Sequence, residues 1–232
     1  MSAEKMTVNA VDPDGKWLYR AGGISALLLG LGYVAIIPLY ATVGAPPSDS
    51  EAWLKYLVGK TTVWWAILGL SVLTDVLYVP VALALYLALK GVNRNAMLLA
   101  TTLVGLFVVL DLAVTWPNYA SLITLTGKYA AATSDAGRTT YVAAANYASA
   151  VLTSRLEAVY SILVLSLGIL VTGLVMLRGI FSKMTAYLGL VTGISGIIAV
   201  ASASSIAAII ASVLTTVWIL LVAFRLYGLS RQ

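Results

Sequence analysis

Four ionisable residues lie inside apolar stretches of the sequence, where their chemistry would take place within a membrane. They are Asp75, Asp111, Arg155 and Glu157. A charge near the bilayer centre costs about 2.5–3.5 kcal/mol on insertion scales, so such a residue faces the protein interior and finds a partner. Buried acids could bind a cation, a proton or a polar headgroup. Alternatively, the four residues form a structural salt-bridge cluster held together by Arg155, and both interpretations remain open.

Each acid has polar companions at helical spacing. Residues three or four apart share one face of a helix. Three polar faces follow from this spacing: Ser71, Asp75 and Tyr78; Asp111, Thr115 and Asn118; and Ser154, Glu157 and Ser161. The sequence therefore predicts a buried polar or ion-binding cluster that consists of Asp75, Asp111, Arg155, Glu157 and Tyr78. It predicts no catalytic residue and no metal ligand.

The composition excludes several kinds of site chemistry. The chain has no histidine and no cysteine. Haem ligation by these residues, iron–sulfur clusters, thiolate or imidazole zinc sites and His- or Cys-based catalytic triads are therefore excluded. The motifs of phosphate-binding loops, serine hydrolases and zinc proteases are absent as well. We expect no enzymatic activity and no cofactor ligated by the protein, while a bound lipid is compatible with the sequence.

The apolar content of the chain indicates an integral membrane protein. Of the 232 residues, 61% are hydrophobic and 10% are charged, whereas soluble domains average roughly 45–50% and about 25%. The net charge of +5 does not indicate a nucleic-acid partner, because the basic residues stand singly or in pairs between apolar segments. That distribution is typical of the connections between membrane helices.

Six segments are long and apolar enough to span a bilayer, which takes about 20 residues. They cover residues 17–43, 62–89, 95–117, 140–177, 184–202 and 205–227, and the fourth could begin anywhere from 140 onward. Pro117 is expected to end the third. The sequence thus predicts an all-α polytopic helix bundle, organised as a single membrane domain over residues 1–232. A short polar segment precedes it at 1–16, and outer loops lie at about 44–61 and 118–139.

The basic residues predict the orientation of these spans. Nine Lys and Arg residues lie in the termini and connections on one side of the membrane, and four lie in the connections on the other side. Cytoplasmic loops carry the excess of Lys and Arg. We therefore expect both termini to face the cytoplasm.

The first outer loop carries the signal for a short helix. Ser48, Asp49 or Ser50 could cap a helix that bears Trp53 and its apolar neighbours. We expect this helix to anchor in the membrane interface at headgroup depth, and the less favoured alternative is a lid over a substrate. The second outer loop could behave in the same way.

Small residues recur every four positions in two predicted spans. They are Gly22, Ala26 and Gly30 in the first, and Gly189 and Gly193 in the fifth. Such spacing lets helix backbones approach closely. We expect these seams to pack helices of the same chain, although contacts with a second copy or another subunit use the same pattern.

Two stretches resemble a known family. They are residues 75–90, DVLYVPVALALYLALK, and residues 217–227, VWILLVAFRLY, and Arg20-Ala21-Gly22-Gly23 opening the first span also fits. Together they resemble an uncharacterised prokaryotic multi-pass membrane family, catalogued as domain of unknown function four-three-eight-six. The resemblance implies six spans and the plasma membrane of a prokaryote. It implies no reaction and no catalytic residues.

Three function classes are compatible with the sequence. We expect a non-enzymatic accessory or structural subunit of a membrane complex, partnered by membrane lipids and by other subunits or by itself. The alternative is a small transporter or channel that uses the buried acids, which the predicted orientation places together in the outer half of the membrane. A lipid-modifying enzyme that uses an Asp or a Glu is the third and least favoured class.

Overall fold

A computed structural model describes residues 15–231, which are helical and contain no strand. Nine α-helices follow one another in this part of the chain: α1 (Lys16–Val43), α2 (Ser50–Leu57), α3 (Thr61–Leu110), α4 (Trp116–Ala131), α5 (Asp135–Leu152), α6 (Arg155–Ala158), α7 (Val164–Met176), α8 (Lys183–Ser202) and α9 (Ser205–Leu229). Two π-helical segments connect helices, at Asp111–Thr115 and Val159–Leu163. The polar segment predicted at 1–16 lies, except for its last two residues, outside the described residues.

Five helical stretches are long and apolar enough to cross a membrane. They are Lys16–Val43, Thr61–Ala131, Arg155–Met176, Lys183–Ser202 and Ile206–Leu229. The all-helical prediction is confirmed, and these stretches indicate a membrane protein. Residues 140–152, by contrast, belong to α5, which is not among the five.

The longest stretch is folded back on itself. Asn93 interrupts it with extended backbone angles, φ −155° and ψ 94°. The first arm comprises residues 61–92 and the second arm residues 94–131. The two arms lie side by side: the ring centroids of Tyr78 and Phe107, one on each arm, are 5.5 Å apart. We call the end of the molecule at Asn93 the bend end.

The main bundle consists of α1, both arms, α7, α8 and α9, and close contacts at glycines set its helix spacing. A Cβ on Gly30 would lie 2.5 Å from a methyl carbon of Leu220, and one on Gly193 would lie 2.8 Å from the carbonyl oxygen of Ser166. Both distances are far below van der Waals contact. The small residues therefore pack helices of this chain, as the spacing predicted.

A second hydrophobic core forms a cap at the end opposite the bend. The cap consists of α2, the start of the first arm, the distal part of the second arm and α5. Its centre contains Trp53, Leu54, Trp64 and Leu122, each at most 1% exposed. The predicted short helix is therefore confirmed, but Trp53 is buried inside the cap instead of facing the membrane as an anchor. The reason is that helices distant in sequence cover its apolar face.

The helix does not end at Pro117, contrary to the prediction. Proline lacks an N–H and clashes with the carbonyl four residues before it in a regular α-helix. The π-helical segment widens the preceding turn, and the N–H of Trp116 donates to the carbonyl of Asp111 five residues back. Helix α4 then continues to Ala131, so most of the predicted second outer loop is helical.

The N-cap of α2 gives a first prediction. A side-chain oxygen of Asp49 accepts a hydrogen bond from the backbone N–H of Ala52 at 2.8 Å. Asp49→Ala should lower the free energy of unfolding by about 1 kcal/mol, measured as thermal unfolding in detergent. Asp49→Asn keeps the acceptor and is the matched control, so equal losses in the two variants would show that capping is not the cause.

Candidate functional site: an acidic cavity between bundle and cap

A cavity of about 310 Å³ lies where the bundle meets the cap. Its wall is built by α1, both arms of the folded-back helix, the segment from α6 to α7, and α9. Three carboxylates line it, from Asp75, Asp111 and Glu157. We call it the acidic cavity. Its volume is at the lower end of the range found for small-molecule sites.

The bend at Asn93 brings two of these acids to one depth. Asp75 lies eighteen residues before Asn93, and Asp111 lies eighteen residues after it. At 1.5 Å per residue, each acid is about 27 Å along its arm from the bend. The two carboxylates therefore reach the same level of the bundle from antiparallel arms. They are buried, at 3% and 5% exposed.

Neutral donors hold the carboxylates in place. Asp111 Oδ1 accepts from the hydroxyl of Thr115 at 2.7 Å and from that of Ser161 at 2.8 Å. The Ser161 hydroxyl also lies 3.0 Å from Glu157 Oε1. Because a serine carries one hydroxyl hydrogen, Ser161 links two carboxylates that it cannot fully satisfy together.

Asp75 is held separately. Its Oδ2 accepts from the indole N–H of Trp116 at 2.5 Å, so the first arm is tied to the start of α4. Asp111 and Glu157 are thus neighbours through Ser161, while Asp75 is held by a different donor. Within residues 15–231, no three acidic side chains are placed to hold a single metal ion.

Both π-helical segments lie at this cavity. Asp111 and Thr115 are the first and last residues of one, and Ser161 is the central residue of the other. A π-helical turn inserts one residue into the helix and changes which side chains share a face, and such turns are frequent at functional sites. Here the two turns direct hydroxyl groups toward the carboxylates.

Arg155 does not join the acids. Its side chain is exposed and does not line the acidic cavity. Arg155 and Glu157 are two residues apart on α6, so their side chains point to nearly opposite sides of the helix. The interpretation of an Arg155-centred salt-bridge cluster has no support in this geometry.

Tyr78 lies one turn from Asp75 toward the bend end. Its hydroxyl is 3.1 Å from that of Tyr33, and its ring packs against Phe107. Tyr33 and Phe107 line the acidic cavity, whereas Tyr78 lines a much smaller one of about 20 Å³. Tyr78 thus helps to close the floor of the acidic cavity.

The lining of the acidic cavity combines acidic side chains with aromatic rings. No Lys or Arg is found among the described residues that line it. Aromatic rings stand beside the carboxylates, from Tyr33, Tyr40, Trp116 and Tyr119. Uncompensated carboxylates attract positive charge, and aromatic faces bind cations. The arrangement can therefore bind a cation, and its three carboxylates would disfavour an anion.

Sequence reasoning missed the contribution of α1 and α9. Tyr33 and Tyr40 are seven residues apart on one face of α1, and Ser212 and Thr215 lie on one face of α9. The periodic tyrosines were a usable signal, because a polar aromatic on an apolar span needs a partner. The serine and threonine gave no such signal, since each can bond to its own helix backbone.

Comparisons with protein-family models, with curated proteins and with solved structures found no match. The resemblance to the multi-pass family therefore stays a prediction.

Proposed function

We propose that this protein binds an organic cation in the acidic cavity, as the substrate site of a small membrane transporter. The observation that carries this proposal is a cavity of about 310 Å³ with three carboxylates and no Lys or Arg among its described lining residues. Three acids would repel one another strongly in a low-dielectric site. A bound cation relieves that repulsion, and the rings of Tyr40 and Tyr119 supply apolar contact with its substituents.

An organic cation fits the cavity better than a small inorganic ion. Within the described residues no three acidic side chains are placed around a single point, and neutral donors already occupy Asp75 and Asp111. A quaternary or tertiary ammonium group needs no tight oxygen cage, because nearby carboxylates and aromatic faces are sufficient.

We also propose that the chain crosses the membrane six times and that both termini are cytoplasmic. The 71-residue stretch would be about 105 Å long if it were straight, whereas the hydrocarbon core is about 30 Å thick, so its two arms count as two spans. Eight described basic residues then lie at the bend end: Lys16, Arg20, Lys90, Arg94, Arg178, Lys183, Arg225 and Arg231. Five lie toward the cap: Lys55, Lys60, Lys128, Arg138 and Arg155. This bias supports an external cap, and the family resemblance favours a prokaryotic plasma membrane.

The proposal is tested by binding of benzyltrimethylammonium to the full chain in lipid nanodiscs. The matched probe is (2,2-dimethylpropyl)benzene, which has the same shape and no charge. We expect saturable binding of the cation, measured by calorimetry, and no saturable binding of the neutral probe. Equal binding of both, or of neither, would overturn the proposal.

The accessory-subunit expectation stays a prediction. It is tested by the native mass after gentle extraction from the source membrane, with each co-migrating chain identified. Stoichiometric partners would make the protein a subunit. A lone monomer or homo-oligomer would contradict that role.

A further inference from the structure

Two residues of the acidic cavity lining are exposed on the side of the bundle. Of the described residues that line the cavity, only Ile37 on α1 and Ser212 on α9 are exposed. The carboxylates and the remaining lining residues are buried or half-buried. The two exposed residues belong to neighbouring helices, so they mark one gap in the wall.

The register of α1 and α9 places Ile37 opposite Val213, the residue next to Ser212. A Cβ on Gly23 would meet Tyr227, and a Cβ on Gly30 would meet Leu220 at 2.5 Å. The two helices are therefore antiparallel and in tight contact toward the bend end. Seven residues further along each helix, Ile37 comes opposite position 213, beside Ser212. The two helices that touch at Gly30 thus leave Ile37 37% and Val213 44% exposed two turns further along.

The rims of this gap are apolar. On α1, Val34 is 53% exposed, and on α9, Ile209 is 60% and Val213 is 44% exposed. Both helices are among those long and apolar enough to cross a membrane. Side chains of this kind face lipid acyl chains, so the gap opens toward the bilayer.

The cap covers the other approach to the cavity. Trp116 and Tyr119 of the cavity wall stack at 5.7 Å, and Tyr119 stacks on Trp64 at 5.1 Å. Trp64 then meets Trp53, with ring centroids 5.9 Å apart. Trp53 and Trp64 are 1% and 0% exposed. A continuous aromatic stack therefore lies between the carboxylates and the water on the cap side.

We infer that the gap between Ile37 and Ser212 is a lateral portal, and that the ligand is an amphiphile with a cationic amine head and one apolar chain. This inference rests on the proposed cation site and specifies its substrate class. The head lies among Asp75, Asp111 and Glu157. The chain runs past Ile37 and Ser212 into the acyl region of the bilayer, so the ligand enters from the membrane.

The inference is tested by photo-cross-linking of the full chain in lipid vesicles. The probe is decyltrimethylammonium with a diazirine on its third chain carbon, and the cross-linked residues are identified by mass spectrometry. We expect cross-links at 34–37 of α1 and 209–213 of α9. Benzyltrimethylammonium at ten times its Kd should reduce them about tenfold, since about one site in ten then remains free. An uncharged probe with a tert-butyl head should give no cross-links that this competitor removes.

A pair of variants separates the portal from the cation site. Val213→Trp fills the gap from its rim, where the side chain is exposed and does not line the acidic cavity, and Val217→Trp places the same side chain on another exposed apolar position of the same helix. We expect Val213→Trp to lose the competed cross-links and to keep equilibrium binding of benzyltrimethylammonium, which has no chain to pass through the gap, while Val217→Trp keeps both. Competed cross-links on α2 or α5 would overturn the portal, as would equal loss of both ligands in Val213→Trp. Absence of benzyltrimethylammonium binding in the wild type would instead overturn the proposed function.

Discussion

The Asp111→Asn variant is expected to bind benzyltrimethylammonium about thirtyfold more weakly than the wild type. Removing one member of a buried charge pair costs about 2 kcal/mol or more, which corresponds to that factor. Asp111 is the most central of the three acids, because it shares Ser161 with Glu157 and lies level with Asp75. Binding is measured by calorimetry in nanodiscs.

Glu51→Gln is the matched control for this charge change. Glu51 lies on α2, is half exposed, and pairs with Lys55 at 2.7 Å on the surface. Loss of an exposed ion pair changes stability by about 0–1 kcal/mol, and Glu51 does not line the cavity. If Glu51→Gln weakens binding as much as Asp111→Asn does, the effect is one of overall charge and the cation site is contradicted.

The Asp111→Asn variant should also be more stable than the wild type in the absence of ligand. Asparagine has the shape of aspartate and still accepts from Thr115 and Ser161, while it removes a buried charge that lacks a basic partner. A higher unfolding temperature together with lost binding identifies a functional charge. A lower unfolding temperature would mean that Asp111 has a structural role.

The second large effect is expected at the glycine seam between α7 and α8. In Gly193→Ala, the new Cβ would lie 2.6 Å from the Cβ of Leu170, 2.8 Å from the carbonyl oxygen of Ser166 and 2.9 Å from the Cα of Leu170. Two of these are backbone atoms, which cannot rotate away. We expect a loss of about 1–3 kcal/mol in the free energy of unfolding, measured by thermal unfolding in detergent.

Gly105→Ala is the control for this prediction. Nothing lies within 4 Å of a Cβ built on Gly105, which is also inside a helix. Alanine is favoured over glycine in a helix by up to about 1 kcal/mol, so this variant should be neutral or more stable. Equal destabilisation by both substitutions would show that close packing at Gly193 is not what holds α7 and α8 together.

The features that could be predicted from the sequence are local ones. Apolar length identifies membrane helices because each span satisfies its own backbone hydrogen bonds. The N-cap of α2 at Asp49 and the pairing of Asp111 with Thr115 depend on residues three or four positions apart. The predicted cluster was wrong to include Arg155 beside Glu157, because residues two apart on a helix do not share a face and Arg155 is exposed.

The sequence by itself determined an all-helical, membrane-inserted chain with acids buried in its apolar segments. Only the tertiary structure decided that Asp75, Asp111 and Glu157 share one cavity, that Trp53 is covered by the cap, and that Ile37 and Ser212 are the exposed residues of the described cavity lining. These outcomes depend on the bend at Asn93 and on which helices become neighbours. Contacts of that kind join residues far apart in the chain, where local periodicity carries no information.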